Sequence, residues 1–181
     1  MPPAYVKTIQ EEIYYEYAKL ISRSALGVIN YRFVSDRFKA LRDSEITISG
    51  TYREWQREQE LPQVCVFCSS SDNLQVDHLI PQSRGGSDSA DNVVWSCNNC
   101  NLLRGNKGVF QWLGLEKKDD LHRLVAGKYL KQLFELHNQK ETLGIHKNSI
   151  IQLCPQCRNG PTCLEWNVVQ KLTCFCLESL F

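Results

Sequence analysis

Apolar residues in the first 62 positions recur every three or four residues, as on the buried face of an α-helix. This spacing predicts one helix near the N-terminus and a second from about Tyr31 to Arg42. The apolar positions of the two helices are Ile9, Ile13, Tyr17, Leu20 and Ile21, then Phe33, Val34, Phe38 and Leu41. Ser44–Gly50 alternates like a short strand or a turn. Thr51 begins a capping box that predicts a helix through TYREWQREQEL.

The pattern changes between residues 63 and 113. Two short apolar runs, QVDHLI and NVVWS, predict strands, and a polar loop containing Gly85 and Gly86 separates them. NNCNLLRGNK, which follows the second run, predicts the start of a helix. The segment is therefore expected to form a ββα unit.

The rest of the chain divides into an amphipathic helix and a cysteine-rich tail. Helical spacing predicts a long helix over residues 118–143. Its buried face is expected to consist of Leu121, Leu124, Val125, Leu130, Leu133, Phe134 and Leu136. We expect an α+β protein with four segments: a helical region (1–62), the ββα unit (63–113), the amphipathic helix (114–149) and the tail (150–181).

Composition and charge limit the class of protein. The 181-residue chain is 43% hydrophobic and has a net charge of +1, so DNA binding would require a local basic surface. No apolar run approaches the roughly 20 residues that a membrane helix needs, and the N-terminus lacks the apolar core of a signal peptide. We therefore expect a cytoplasmic protein without a membrane partner or a small-molecule cofactor.

The nine cysteines are the most informative part of the composition, and none lies in the first 64 residues. Four of them form two C-x2-C pairs, Cys65 with Cys68 and Cys97 with Cys100. Two such pairs supply the four thiolates of a tetrahedral zinc site. Because all four positions are then filled by protein, the predicted site is structural.

The tail carries the other five cysteines, which predict a second structural zinc and two zinc ions per chain. The preferred ligands are Cys154, Cys157, Cys174 and Cys176, in a ribbon-like element. VVQKLTCF would be the returning strand of its hairpin. Cys163 is the alternative to either downstream cysteine, or is free.

The segment from Cys65 to Lys107 resembles the zinc-stapled HNH nucleases. Asp77–His78 at the end of the first strand matches the Asp–His pair of that family. Asn92 matches its middle asparagine, and Asn101 matches its third position, which is often histidine. Arg104 and Lys107 match the basic residues that usually follow on the helix. The resemblance covers about 45 of the 181 residues.

The resemblance implies metal-dependent hydrolysis of DNA that leaves a 5′-phosphate and a 3′-hydroxyl. His78 is the expected general base, because an imidazole with a pKa of about 6.5 is mostly neutral at pH 7. Asp77 and Asn101 offer hard oxygen ligands, which the resemblance assigns to one Mg²⁺ or Mn²⁺ ion. It also implies that Asn92 holds the loop and orients His78. Arg104 and Lys107 are candidate phosphate contacts, although a solvated helix end explains them equally.

Several biological roles fit such a motif. The compact layout is similar to Type II restriction endonucleases of the HNH class, which implies a homodimer acting on a short palindrome in double-stranded DNA. A mobile-element or phage endonuclease or nickase is the second hypothesis, and a methylation-directed nuclease is the third. A zinc-dependent DNA-binding module with a dead nuclease motif is the alternative from another class.

Overall fold

The computed structural model describes residues 1–48 and 62–179. The chain forms two compact units. One comprises Met1–Ser49 and Leu133–Phe181, and the other Gly50–Gln132. This division differs from the four consecutive segments expected above, because the N-terminal helices and the cysteine-rich tail share one unit. The helix predicted after Thr51 lies outside the described residues.

Two helices open the first unit, as their apolar spacing predicts. Helix α1 spans Ile9–Leu26 and begins where Thr8 Oγ1 accepts a hydrogen bond from the Glu11 N–H. It ends at Gly27, whose φ of 75° is readily available only to glycine. Helix α2 spans Tyr31–Arg42, with Asn30 as its N-cap. The core of this unit includes Ile9, Ile13, Val34, Phe38, Leu41 and Leu133.

The second unit contains the predicted ββα arrangement. Strand β1 (Leu74–His78) pairs antiparallel with β2 (Val93–Cys97), and His78 lies opposite Val93. Helix α3 (Asn98–Arg104) follows β2 without a break, and α4 (Val109–Lys117) comes next. Asp77 and His78 therefore lie at the end of β1, directly before the loop that connects the strands.

The long helix α5 spans Arg123–Gln139, so it begins five residues later than the helix predicted from residue 118. A 3₁₀ turn, Lys118–Asp120, precedes it. Its Lys128 Nζ donates to the Val93 carbonyl at 2.8 Å, and its Tyr129 hydroxyl accepts from the Val109 N–H at 3.2 Å. These bonds hold the start of β2 and the start of α4 against α5.

The predicted ribbon-like hairpin of the tail was wrong. Its regular structure consists of α6 (Lys147–Leu153), a 3₁₀ turn (Cys154–Gln156), α7 (Gly160–Glu165) and a 3₁₀ segment, Cys174–Glu178. No strand occurs in the described part of the tail. The 3₁₀ segment is buried and packs on α1, so its apolar residues contribute to the core of the first unit. Within residues 1–48 and 62–179, no helix combines the length and apolar character needed to cross a membrane.

Candidate active site

The first cysteine set converges as its spacing predicts. The sulfur atoms of Cys65, Cys68, Cys97 and Cys100 all lie within 4.8 Å of one another, and Cys68 Sγ is 3.6 Å from Cys97 Sγ. A tetrahedron with zinc–sulfur bonds of about 2.3 Å has sulfur–sulfur edges of about 3.8 Å. The spacing and the donor type therefore fit a structural zinc ion.

Burial and hydrogen bonds shift the pKa values of Cys65 and Cys100 in opposite directions. Burial opposes the ionisation of Cys65, but hydrogen bonds from the backbone of Cys97 and Phe67 lower its pKa to about 6. Burial and the other thiols of the set raise the pKa of Cys100 well above its usual range. Four clustered thiols cannot all ionise without a cation to neutralise them, and a bound zinc ion would supply that charge.

Asn92 holds the loop between the two strands. Its side chain is fully buried, and its Oδ1 accepts from the Ile80 N–H at 2.9 Å. Its Nδ2 donates to the carbonyls of Ile80 (2.9 Å) and Ser87 (2.8 Å). The Asn92 amide thus binds the backbone of Ile80, two residues after His78, and that of Ser87 on the far side of the loop. With these three hydrogen bonds, Asn92 can fix the course of the chain after His78.

Gly86 allows this close packing. A Cβ atom at this position would lie 1.8 Å from the Ile80 carbonyl oxygen and 2.7 Å from Asn92 Nδ2. The Gly86 N–H donates to the Pro81 carbonyl at 3.2 Å, which closes the loop from the other side. The requirement for glycine here is therefore steric.

Arg104 fixes the end of β1. Its guanidinium is 2% exposed and makes two hydrogen bonds to the carboxylate of Asp77, from Nη2 to Oδ1 and from Nε to Oδ2. It also donates to the carbonyls of His78 (2.7 Å), Leu79 (3.4 Å) and Lys107 (3.1 Å). Its donors therefore point at protein groups, so its placement supports a positioning role in place of the predicted phosphate contact.

Asn101 precedes Arg104 by three residues on α3, so the two side chains share a helix face. Since Arg104 contacts Asp77, that face is directed towards the end of β1. A carboxylate oxygen has two lone pairs, and one remains after each bond from Arg104. Carboxylate and amide oxygens are of the type that Mg²⁺ and Mn²⁺ prefer, and the assignment of Asp77 and Asn101 as ligands stays a prediction.

His78 is the last residue of β1, and its side chain is 26% exposed. Its Nε2 lies 3.0 Å from Oδ1 of Asp88, a loop residue whose side chain is 79% exposed. When Nε2 carries the proton and donates it to Asp88, Nδ1 keeps a free lone pair. Nothing in the sequence distinguished Asp88 from Asp91 in the same loop, since only the fold of the loop brings one of them to His78.

Two further basic residues near the site, Lys107 and Arg84, differ in their exposure to solvent. Lys107 is exposed just beyond α3. Arg84 is buried, and its Nη1 donates to the Asn106 carbonyl at 3.3 Å. Arg84 therefore joins the loop to the segment after α3, whereas Lys107 has an ammonium group available to solvent.

The second cysteine set does not converge in the same way. In the described residues, the first set is the one group of three or more potential ligands whose donor atoms lie within 4.8 Å of one another. Cys174 is 1% exposed within the buried 3₁₀ segment, and Cys154, Cys157 and Cys163 are half-buried. The ligand set predicted for the second zinc thus remains a prediction.

The comparisons with known proteins agree with this geometry. The family model of the HNH endonucleases matches residues 65–107, which run from the first cysteine of the four-cysteine cluster to Lys107. Searches of curated proteins and of solved structures gave no match. The matched residues contain the four-cysteine cluster, both strands, the loop and α3. Residues 65–107 of this chain are therefore an HNH endonuclease domain.

Proposed function

We propose that this protein is a metal-dependent endonuclease that hydrolyses phosphodiester bonds in double-stranded DNA. The observation that carries the proposal is the position of His78, partly exposed at the strand end where Arg104 holds the backbone and Asn92 holds the loop. Because these contacts hold the backbone around His78, its imidazole can accept a proton from a water molecule in a defined position. The match to the HNH endonuclease model supports the same chemistry.

His78 is the proposed general base. The contact between its Nε2 and Asp88 favours the tautomer with the proton on Nε2. The proton acceptor in this proposal is therefore Nδ1. Asp88 would act as a positioning residue that keeps the ring in one orientation.

Asp77 and Asn101 would hold the catalytic Mg²⁺ or Mn²⁺. When bound, a divalent cation supplies charge stabilisation for the phosphate and the departing 3′ oxygen. Arg104 keeps the Asp77 carboxylate in one orientation. The exposed ammonium group of Lys107 is the proposed phosphate contact, which it would make as a point charge.

The proposed products are a 5′-phosphate and a 3′-hydroxyl, and the proposed role is restriction of a short palindromic site by a homodimer. Two-fold symmetry would place one active site on each DNA strand. A mobile-element or phage HNH endonuclease is the second candidate. The family match is confined to the nuclease segment and supports both candidates equally, since it carries no information on sequence recognition.

The test is a digestion of unmodified phage DNA with Mg²⁺. Wild-type protein is compared with His78→Ala and with His122→Ala, which removes an exposed histidine of the same unit. We expect cleavage by the wild type and His122→Ala only, and retained DNA binding by His78→Ala. Discrete bands support restriction, whereas nicked circles or a smear support the second candidate.

Two outcomes of the digestion would contradict the proposal. Cleavage by His78→Ala would remove His78 as the base. Absence of cleavage of unmodified, methylated and single-stranded DNA by the zinc-loaded wild type would favour a DNA-binding module over an enzyme.

The role of Asp88 is tested by a matched pair of substitutions. Asp88→Asn keeps an oxygen that accepts from Nε2–H, whereas Asp88→Ala removes it. We expect Asp88→Ala to lower kcat about tenfold with little change in KM, since general base catalysis contributes about 10²–10⁴-fold in all, and Asp88→Asn to restore most of the rate. Equal rates for both variants and the wild type would exclude a positioning role.

A further inference from the structure

The last residue pair of the two-stranded sheet lies at the candidate active site. His78 and Val93 face each other in the register of β1 and β2. The Leu79 N–H donates to the Asn92 carbonyl at 2.7 Å, so the pair lies between two ladder bonds and its own carbonyls point away from the opposite strand. Each of these two carbonyls is therefore available to a donor from another part of the fold.

Two buried cationic side chains supply these donors. Arg104 Nη2 donates to the His78 carbonyl at 2.7 Å, and Lys128 Nζ donates to the Val93 carbonyl at 2.8 Å. The two residues are 2% and 1% exposed. Burial of a charged group is costly unless it is well bonded, so neither contact is that of a surface side chain which happens to reach a carbonyl. The strands are thus held at their last pair from both edges.

Lys128 lies on α5, outside residues 65–107 that match the family model. It belongs to the same compact unit as the strand pair. Its neighbour Tyr129 is also 1% exposed, and the Tyr129 hydroxyl accepts from the Val109 N–H at 3.2 Å. Of these two successive buried side chains, the first therefore bonds to the residue opposite His78 and the second to the start of another helix.

We propose that Lys128 is a positioning residue of the nuclease, which acts through Val93 on His78. This inference rests on the proposed function, in which His78 is the general base. The Cα atoms of a pair of this kind are only about 4.5 Å apart, so a shift of Val93 is transmitted to the strand end that carries the imidazole. Val93 also directly follows Asn92, whose amide holds the loop. Misplacement by about 1 Å can cost about a hundredfold in rate.

Lys128→Met and Tyr129→Phe form a matched pair of variants, since each removes one buried polar group and keeps a side chain of similar volume. We expect Lys128→Met to lower kcat about tenfold with little change in KM, and Tyr129→Phe to keep the wild-type kcat. Lys128→Arg, which keeps a cationic donor, should restore most of the lost rate. Circular dichroism checks the fold of each variant. If Lys128→Met does not fold, Lys128→Gln, which keeps a shorter amide donor, takes its place with the same expected loss.

Amide hydrogen exchange measures the end of the strand pair without reference to cleavage. The Leu79 N–H makes the ladder bond next to the pair, whereas the Val66 N–H donates to the Trp95 carbonyl at 3.0 Å, two residues further along β2. In Lys128→Met, exchange at Leu79 should be about tenfold faster than in the wild type, while exchange at Val66 stays within about twofold.

Three results would overturn this proposal and leave the proposed function in place. A wild-type kcat in Lys128→Met would show that the bond to Val93 has no effect on His78. An equal fall in kcat in Tyr129→Phe would assign the effect to the packing of α5 in general. Unchanged exchange at Leu79 in a slow Lys128→Met variant would show that the effect does not pass through the strand pair. Absence of cleavage by the wild type, in contrast, would overturn the proposed function itself.

Discussion

The two cysteine sets have similar sequence patterns but different degrees of assembly. The first set flanks a predicted ββα unit, and its four sulfur atoms lie together. The second set is spread over a turn, a helix and a 3₁₀ segment, and in the described residues its sulfur atoms form no comparable cluster. Cysteine spacing therefore identifies ligands only where the secondary structure between them is also known.

The packing around the two sets differs as well. Cys65, Cys97 and Cys100 are themselves the buried centre of a small cluster, packed by Phe67, Leu74 and Trp112. The first unit, which holds the second set, has a separate core formed by α1, α2 and part of α5. Loss of zinc should thus damage the nuclease motif much more than the first unit.

Cys65→Ser is the strongest test of this contrast, with Cys154→Ser as its counterpart in the tail. Structural zinc contributes about 10 kcal/mol or more in small zinc domains, which is comparable with the stability of a whole domain. We expect Cys65→Ser to lose zinc, amide protection over residues 74–104 and all cleavage. Cys154→Ser should keep protection in that range, and hydrogen exchange measures both. Equal protection in the two variants would contradict the contrast.

Arg104→Ala comes next, because it leaves the buried carboxylate of Asp77 without its partner. Removing one partner of a buried ion pair lowers the free energy of unfolding by about 3–5 kcal/mol. Lys107→Ala, at an exposed position three residues later, should change the free energy of unfolding by about 0.5 kcal/mol or less while weakening DNA binding. Urea denaturation and DNA-binding titrations separate the two effects. A stable Arg104→Ala variant with weakened DNA binding would instead support the phosphate contact.

Gly86→Ala tests how strictly the loop is packed. The added methyl would overlap the Ile80 carbonyl, and overpacking of this kind costs about 1–3 kcal/mol. Gly144→Ala is the matched control in the first unit, where a Cβ atom meets nothing within 4 Å. We expect a lower melting temperature and slower cleavage for Gly86→Ala alone. Wild-type cleavage by Gly86→Ala would show that the loop does not position His78.

The smallest expected effect is a pH dependence of the first unit. His137 is buried between Thr142 Oγ1 (2.7 Å) and the Leu177 carbonyl (2.9 Å), and desolvation lowers its pKa from 6.5. The unfolded chain therefore binds the proton more readily, and stability should fall as pH drops below 6.5, by up to about 1.4 kcal/mol per pH unit. Urea denaturation at pH 7.5, 6.5 and 5.5 measures this.

The control for that experiment is a pair of glutamine variants. His137→Gln should be less dependent on pH, whereas His122→Gln, at an exposed position, should retain the wild-type dependence. The same pH dependence in His137→Gln and the wild type would assign the effect to other groups.

The local pattern of apolar and polar residues determined much of the secondary structure of this protein. Apolar spacing gave the bounds of α2, and two short apolar runs separated by a polar loop predicted β1, β2 and the helix α3 that follows them. These predictions succeed because each depends on neighbours within a few residues. The first zinc site follows from the same local regularity, since each pair of its cysteines lies on a single turn.

Long-range contacts decided the remainder. Whether Arg104 faces DNA or Asp77 depends on which side of α3 covers β1, and the choice of Asp88 as the partner of His78 depends on how the loop closes over Asn92. Burial of the segment from Cys174 to Glu178 against α1 favoured a 3₁₀ helix over the predicted strand. Such contacts join residues 10 to more than 100 positions apart, and no periodicity in the sequence records which of them will form.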